Sequence, residues 1–177
     1  MARPPLLVPL ISGTLVLMST PIKDSVVGFL TMDKSFYLKD LATLSDEQLM
    51  SKPNGVARKP IDFSYEVVSV NRGILHMLKE LPKVENTPED EKDGIWTAAP
   101  KGYTRAQLEA DLSSSLDDIV NYVSGLTEEQ LVKVIPTWFG EGPLFSFASF
   151  AGTHTNYHSA QIAYVAQMGG DLDNHWF

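Results

Sequence analysis

The chain has 177 residues, 44% of them hydrophobic and 20% charged, which is typical of one globular domain with a sizeable core. The formal net charge is −8 and the lysines and arginines are scattered, which argues against nucleic acid as a partner because phosphate binding needs a basic surface. There is no cysteine, so disulfides, thiolate zinc sites and a cysteine nucleophile are excluded. Any metal must be held by His, Asp, Glu or water, and any catalytic thiol must come from a substrate.

Residues 1–17 differ in character from the rest of the chain. Arg3 precedes a mostly apolar run that prolines interrupt and that is shorter than the roughly 20 residues needed to span a bilayer. The run resembles a signal peptide but lacks a convincing cleavage site. Because Met18 could itself be a start, we expect an N-terminal extension or a misplaced start rather than an export signal. Residues 18–177 are then predicted to be a single cytoplasmic domain without a membrane partner.

Apolar side chains at steps of three and four residues predict the first long helix. It follows an N-cap at Thr20, has Pro21 at its first helical position, and runs to about Leu44. Ser45 and Gln48 then form a capping box, which predicts a short additional helix.

A second long helix begins near Asp62 and is ended by Pro82. Glu66 lies one turn into this helix beside the apolar stripe, a position typical of an exposed glutamate that interacts with the helix dipole. His76 lies near the other end. Residues 83–103 are predicted to be a long loop, and the acidic run PEDEKDG within it is predicted to be solvated.

A third long helix begins with a capping box formed by Thr104 and Gln107 and ends near Gly125. Thr127 and Gln130 form another box, which predicts a second short helix.

The segment 137–145 is predicted to be a loop or turn that carries Trp138 and Phe139, and a fourth long helix runs from about Leu144 to Met168. With no convincing strand pattern, these elements predict an all-α four-helix bundle with short extra helices and long connecting loops.

His154 and His158 lie four residues apart in the fourth helix, so both imidazoles project from one face. The face predicted to point inward comprises Phe147, Phe150, Ala151, His154, His158, Ile162, Val165 and Met168. Buried imidazoles need partners. Two interpretations stay open here: a divalent metal chelated at this spacing, or two core histidines that are hydrogen-bonded to other groups.

Two other residues of this region have less specific interpretations. Gly152 costs a helix about 1 kcal/mol relative to alanine, unless it permits close packing just before His154. His175, in the C-terminal tail, is typical of a solvated side chain.

The segment from His154 to Gln161, HTNYHSAQ, resembles the H-x-x-x-H-x-x-Q pattern of the DinB/YfiT-like superfamily. Residues 45–53 (SDEQLMSKP) resemble the segment that follows the first helix of that family, and residues 60–81 resemble its second helix.

The resemblance implies a four-helix bundle, often a homodimer, that holds zinc or nickel through three histidines. Two of them match His154 and His158. The third aligns with Glu66, which would give two histidines and one glutamate, an acceptable zinc site. His76 is the rival third ligand. It lies roughly 15 Å further along the helix axis, so Glu66 and His76 cannot both hold one ion.

The resemblance further implies a metal-dependent enzyme that transfers a low-molecular-weight thiol, such as bacillithiol or mycothiol, to a small molecule, or a hydrolase or isomerase. Tyr157 and Gln161 are the candidates for catalytic or supporting roles, and Trp138 and Phe139 are candidate walls of the cleft. A helix-packing role for Tyr157 is the simpler alternative. The competing hypothesis is a non-catalytic small-molecule-binding or interaction bundle that has lost the full metal triad.

Overall fold

The computed structural model describes residues 21–79, 98–137 and 140–176. In chain order, its elements are α1 (Ile22–Thr43), α2 (Asp46–Met50), α3 (Pro60–Leu78), α4 (Arg105–Ser124), α5 (Glu128–Val132), β1 (Val134–Thr137), β2 (Gly140–Pro143) and α6 (Leu144–Met168). The predicted extension at 1–17 lies outside the described residues, as do Trp138 and Phe139.

Local sequence signals set where the helices begin. The predicted capping boxes at Ser45, Thr104 and Thr127 are all present, with each hydroxyl accepting a hydrogen bond from the backbone N–H three residues later. Helix α3 begins at Pro60, slightly before the predicted start, because proline is favoured in the first turn, where its missing N–H costs nothing.

Contacts between the long helices define their directions. Helices α1 and α6 run parallel, since Asp33 faces Gly152 and, further along both helices, Asp40 accepts a hydrogen bond from Ser159. Helices α3 and α4 also run parallel, because the N-terminal end of α3 meets the segment just before α4. There, Tyr65 packs edge-on against Tyr103, while Leu78 at the far end accepts a hydrogen bond from Tyr122.

The two parallel pairs run in opposite directions. Lys34 of α1 pairs with Asp117 of α4, whereas Arg105 at the start of α4 donates to the carbonyl of Leu44 just after α1. Helices α1 and α3 each pack against both α4 and α6, and so occupy opposite corners of the bundle. Because α3 and α4 run parallel, the end of α3 and the start of α4 lie at opposite ends of the bundle.

The apolar core fills the bundle along its whole length. One half is built around Leu30, Ile74, Leu116, Ile119, Ala148 and Ala151, and the other around Tyr37, Leu41, Phe63, Val67, Leu108, Leu112 and Ile162. The fold is therefore mostly helical, with four long helices packed as a bundle, as the periodicity predicted.

A two-stranded antiparallel hairpin corrects the prediction of an all-α fold with a loop at 137–145. Strands β1 and β2 pair Val134 with Pro143 and Thr137 with Gly140. Buried Ile135 anchors the hairpin to the bundle. The strands are short and rich in glycine and proline, residues that are depleted in strands, so their sequence carries little strand signal.

The inward face of α6 also differs in part from the prediction. Ala151, His158, Ile162 and Val165 are buried, but Phe150 and Met168 are 37% and 44% exposed. The buried face includes small residues such as Gly152 instead, because α6 packs closely against α1. None of the helices in the described ranges is long and apolar enough to cross a membrane.

Candidate metal centre

Glu66, His154 and His158 meet at the seam between the antiparallel helices α3 and α6. Glu66 is one turn and a half into α3, and the two histidines follow one another at one turn's spacing in the middle of α6. The side chains of Glu66 and His158 are 4% and 2% exposed, and that of His154 is 14% exposed. A carboxylate thus lies almost out of water, contrary to the exposed position that the sequence favoured.

The three side chains direct their potential ligand atoms at one small volume. The Nε2 atoms of His154 and His158 each lie 3.6 Å from Oε1 of Glu66. One ligand atom from each residue lies within 4.8 Å of the others. In a tetrahedral site with bonds of 2.0–2.1 Å, ligand atoms are about 3.3 Å apart. Small side-chain movements would therefore suffice to close this cluster around an ion.

A hydrogen bond fixes the orientation of the His158 ring. Its Nδ1 atom lies 2.8 Å from Oε1 of Gln161, one turn later on α6. Since an amide oxygen can only accept, the proton of a neutral His158 lies on Nδ1, and Nε2 carries a lone pair. That lone pair faces a carboxylate oxygen of Glu66. Two electron-pair donors at this separation repel each other unless a cation or a proton lies between them.

Arg58 supports the other oxygen of the glutamate, and the sequence did not point to it. Its Nη1 atom pairs with Oε2 of Glu66, on the side away from the histidines. Burial alone would raise the pKa of Glu66, but the hydrogen bonds that its carboxylate accepts, among them that from the Arg58 guanidinium, outweigh burial and hold that pKa well below its usual range. Glu66 is therefore a carboxylate, the form that binds metals. The sequence signal that could have pointed to Arg58 is its position as a cationic residue in the loop just before α3.

Aromatic rings surround His158. Phe63 stacks on it with ring centroids 5.6 Å apart, and Tyr157 packs edge-on at 5.0 Å. The Tyr157 side chain is otherwise exposed, so it lies at the rim of the site. Gln161 contacts the His158 ring from the next turn of α6. The imidazole of His154 has its Nδ1 atom buried and without a hydrogen-bond partner among the described residues.

The other two histidines lie elsewhere. His76 is on α3, outside the cluster that contains Glu66. His175 lies in the tail, where its Nε2 atom is 3.0 Å from Oδ2 of Asp171. It is therefore partly buried and paired rather than solvated. Of the two rival third ligands, the structure places Glu66 beside His154 and His158.

Comparison with protein-family models yields no match, and no curated protein or solved structure matches the chain. What the structure supports is a helical bundle with a buried Glu66, His154 and His158 cluster that could hold a metal ion.

Proposed function

We propose that the chain is a metal-dependent enzyme related to the DinB/YfiT-like superfamily, either a low-molecular-weight-thiol S-transferase or a hydrolase or isomerase of a small molecule. The observation that carries this proposal is the convergence of one carboxylate oxygen and two imidazole nitrogens on one buried point. A lone pair of His158 that faces a carboxylate oxygen in a poorly hydrated site, with a second imidazole beside it, supports a cation between them.

The donor set suits a borderline divalent ion. Two imidazoles and one carboxylate are typical ligands of catalytic zinc, and imidazole also suits nickel. We therefore infer zinc or nickel as the ion. A three-ligand site leaves a coordination position for an exogenous group, and an ion bound there would lower the pKa of a thiol or a water molecule.

The protein's own side chains have supporting roles in this proposal. Gln161 holds His158 in the tautomer whose Nε2 can bind. Arg58 engages Oε2 of Glu66, which leaves Oε1 toward the histidines. The chain has no cysteine, so any thiol must be a cosubstrate. By the same resemblance we infer a homodimer.

The test is turnover by the full chain, first stripped with a chelator and then reloaded with zinc or nickel. Thiols would include glutathione, bacillithiol and mycothiol, with monochlorobimane as the electrophile, beside a panel of chromogenic esters for hydrolysis. We expect turnover that appears with metal and disappears in Glu66→Gln, while His76→Ala retains it. Equal turnover in the presence and absence of metal would contradict the proposal.

The Arg58–Glu66 pair favours a second candidate, the non-catalytic binding bundle. A buried carboxylate that is already paired with a guanidinium needs no metal to compensate its charge. This alternative predicts a protein that takes up no metal on reconstitution and has no thiol-dependent turnover. Turnover that a chelator abolishes would exclude it.

A further inference from the structure

A groove of about 620 Å³ lies between the segment 53–58 and the outer face of α6. Its walls include Arg58, Phe63, Tyr157, Gln161, Tyr164 and Met168. This volume is within the range of small-molecule sites, about 300–1,000 Å³. The groove therefore fits a compact organic molecule.

The lining combines aromatic and apolar side chains with one cation. Phe63, Tyr157 and Tyr164 contribute three rings, and Met168 contributes a polarizable thioether. Arg58 is the one charged side chain among the described residues that line the groove, and none of them is a carboxylate, although the chain as a whole carries a formal charge of −8. Such walls favour a flat apolar body, and the charge of the lining favours an anionic group over a cationic one.

The groove also borders the candidate metal centre. Arg58 contacts Glu66, Gln161 contacts His158, and Phe63 stacks on that same histidine. Each of these groove residues thus touches a candidate ligand directly. A molecule in the groove would lie one side chain away from the metal centre.

We propose that this groove binds the aromatic body of a small monoanion, a carboxylate or sulfonate, with the anionic group at the Arg58 end. The inference rests on the proposed metal centre for its charge argument. Without metal, the charges of Glu66 and Arg58 cancel. A divalent ion between neutral imidazoles leaves this end of the groove with a net positive charge, which attracts an anion.

The test uses 1-anilinonaphthalene-8-sulfonate as the anionic probe and N-phenyl-1-naphthylamine as its uncharged counterpart. Fluorescence titrations would compare metal-free and zinc-loaded full chain, with bound zinc measured on the same samples. We expect zinc to tighten binding of the anion about ten-fold, equivalent to one modest charge interaction, and to leave the neutral probe unchanged.

A matched pair of methionines locates the binding site. Met168 and Met32 are 44% and 46% exposed, but only Met168 lines the groove. Met168→Ala should weaken binding of both probes about five-fold, the effect of part of one apolar side chain, while Met32→Ala should leave it unchanged.

The outcomes separate the two proposals. Stoichiometric zinc with no effect on the anionic probe, or equal effects of both methionine variants, would overturn the groove inference and leave the metal centre intact. Failure to bind either zinc or nickel after loading would refute the metal centre and, with it, the charge argument for the groove. A dimer that Met168→Ala dissociates and that excludes both probes would identify the groove as an interface between two copies and overturn the inference.

Discussion

Individual neighbouring side chains determine which atoms of the candidate ligands face the proposed metal site. Gln161 fixes the tautomer of His158, and Arg58 holds the far oxygen of Glu66. Neither residue is a ligand, but each decides which atom of a ligand is available. Supporting partners of this kind typically change metal affinity by one to two orders of magnitude.

Gln161→Leu should therefore weaken zinc binding about 10- to 100-fold, because the His158 ring loses the acceptor that fixes its tautomer. Competition with a chromophoric chelator measures the affinity. Gln167→Leu is the matched control, since Gln167 is on the same helix and outside the cluster. Equal affinities for the two variants would contradict the supporting role of Gln161.

Asp33 is another buried acid, and within the described part of the chain its carboxyl group lacks an ion pair like the one between Glu66 and Arg58. It is 2% exposed, and neither carboxylate oxygen has a hydrogen-bond partner among the described residues. Burial raises its pKa from 3.8 to about 6. The folded state therefore retains a proton that the unfolded state has released, so this group's contribution to stability falls as the pH rises from about 4 to 6.

Asp33→Asn should remove that penalty. The variant should be more stable than the parent at pH 7.5, by up to about 3 kcal/mol, and the difference should shrink to near zero at pH 4. Urea unfolding at the two pH values measures it. A variant that is no more stable than the parent at pH 7.5 would show that Asp33 is not held as an uncompensated acid.

The packing of α1 against α6 depends on a glycine. A Cβ atom at position 152 would lie 2.6 Å from Oδ2 of Asp33 and 2.6 Å from Cε1 of Phe29. Both distances are shorter than a real contact allows. Gly152 therefore permits the close packing that its place before His154 suggested, and this packing helps to set the position of the helix that carries the histidine pair.

Gly152→Ala should destabilise the fold by about 1–3 kcal/mol, the usual cost of overpacking. Gly28→Ala is the control. Gly28 is exposed in α1, and a Cβ atom added there would have no neighbour within 4 Å, so alanine at that position should stabilise by up to about 1 kcal/mol. Chemical denaturation compares the two variants. Similar effects of both substitutions would contradict the close-packing explanation.

The elements that the sequence predicted well are those determined by interactions between residues close together in the chain. Capping boxes at Ser45, Thr104 and Thr127 involve residues three apart, and apolar periodicity lies within one helix. The hairpin was missed because its glycines and prolines weaken the strand pattern. The burial of Asp33 was also missed. Charged side chains are rarely buried, and the sequence of α1 alone does not show which of its residues pack against other helices.

For the molecule as a whole, the candidate site required contacts between distant segments. The histidine pair could be predicted because both residues lie on one helix. Glu66 was a candidate ligand because of the resemblance. Only the antiparallel packing of α3 and α6 shows that its carboxylate lies beside the two histidines. Arg58 and the groove could not be predicted, because they depend on how the segment before α3 folds over α6.

The most direct test of the central claim, a metal centre of Glu66, His154 and His158, is the metal content of the untagged protein by elemental mass spectrometry. The parent would be measured beside Glu66→Ala, His154→Ala and His76→Ala, with circular dichroism to confirm that each variant is folded. We predict near-stoichiometric zinc or nickel in the parent and in His76→Ala, and loss of it in the other two. A folded parent that holds no metal after reconstitution, or metal that survives the Glu66 and His154 substitutions, would contradict the account.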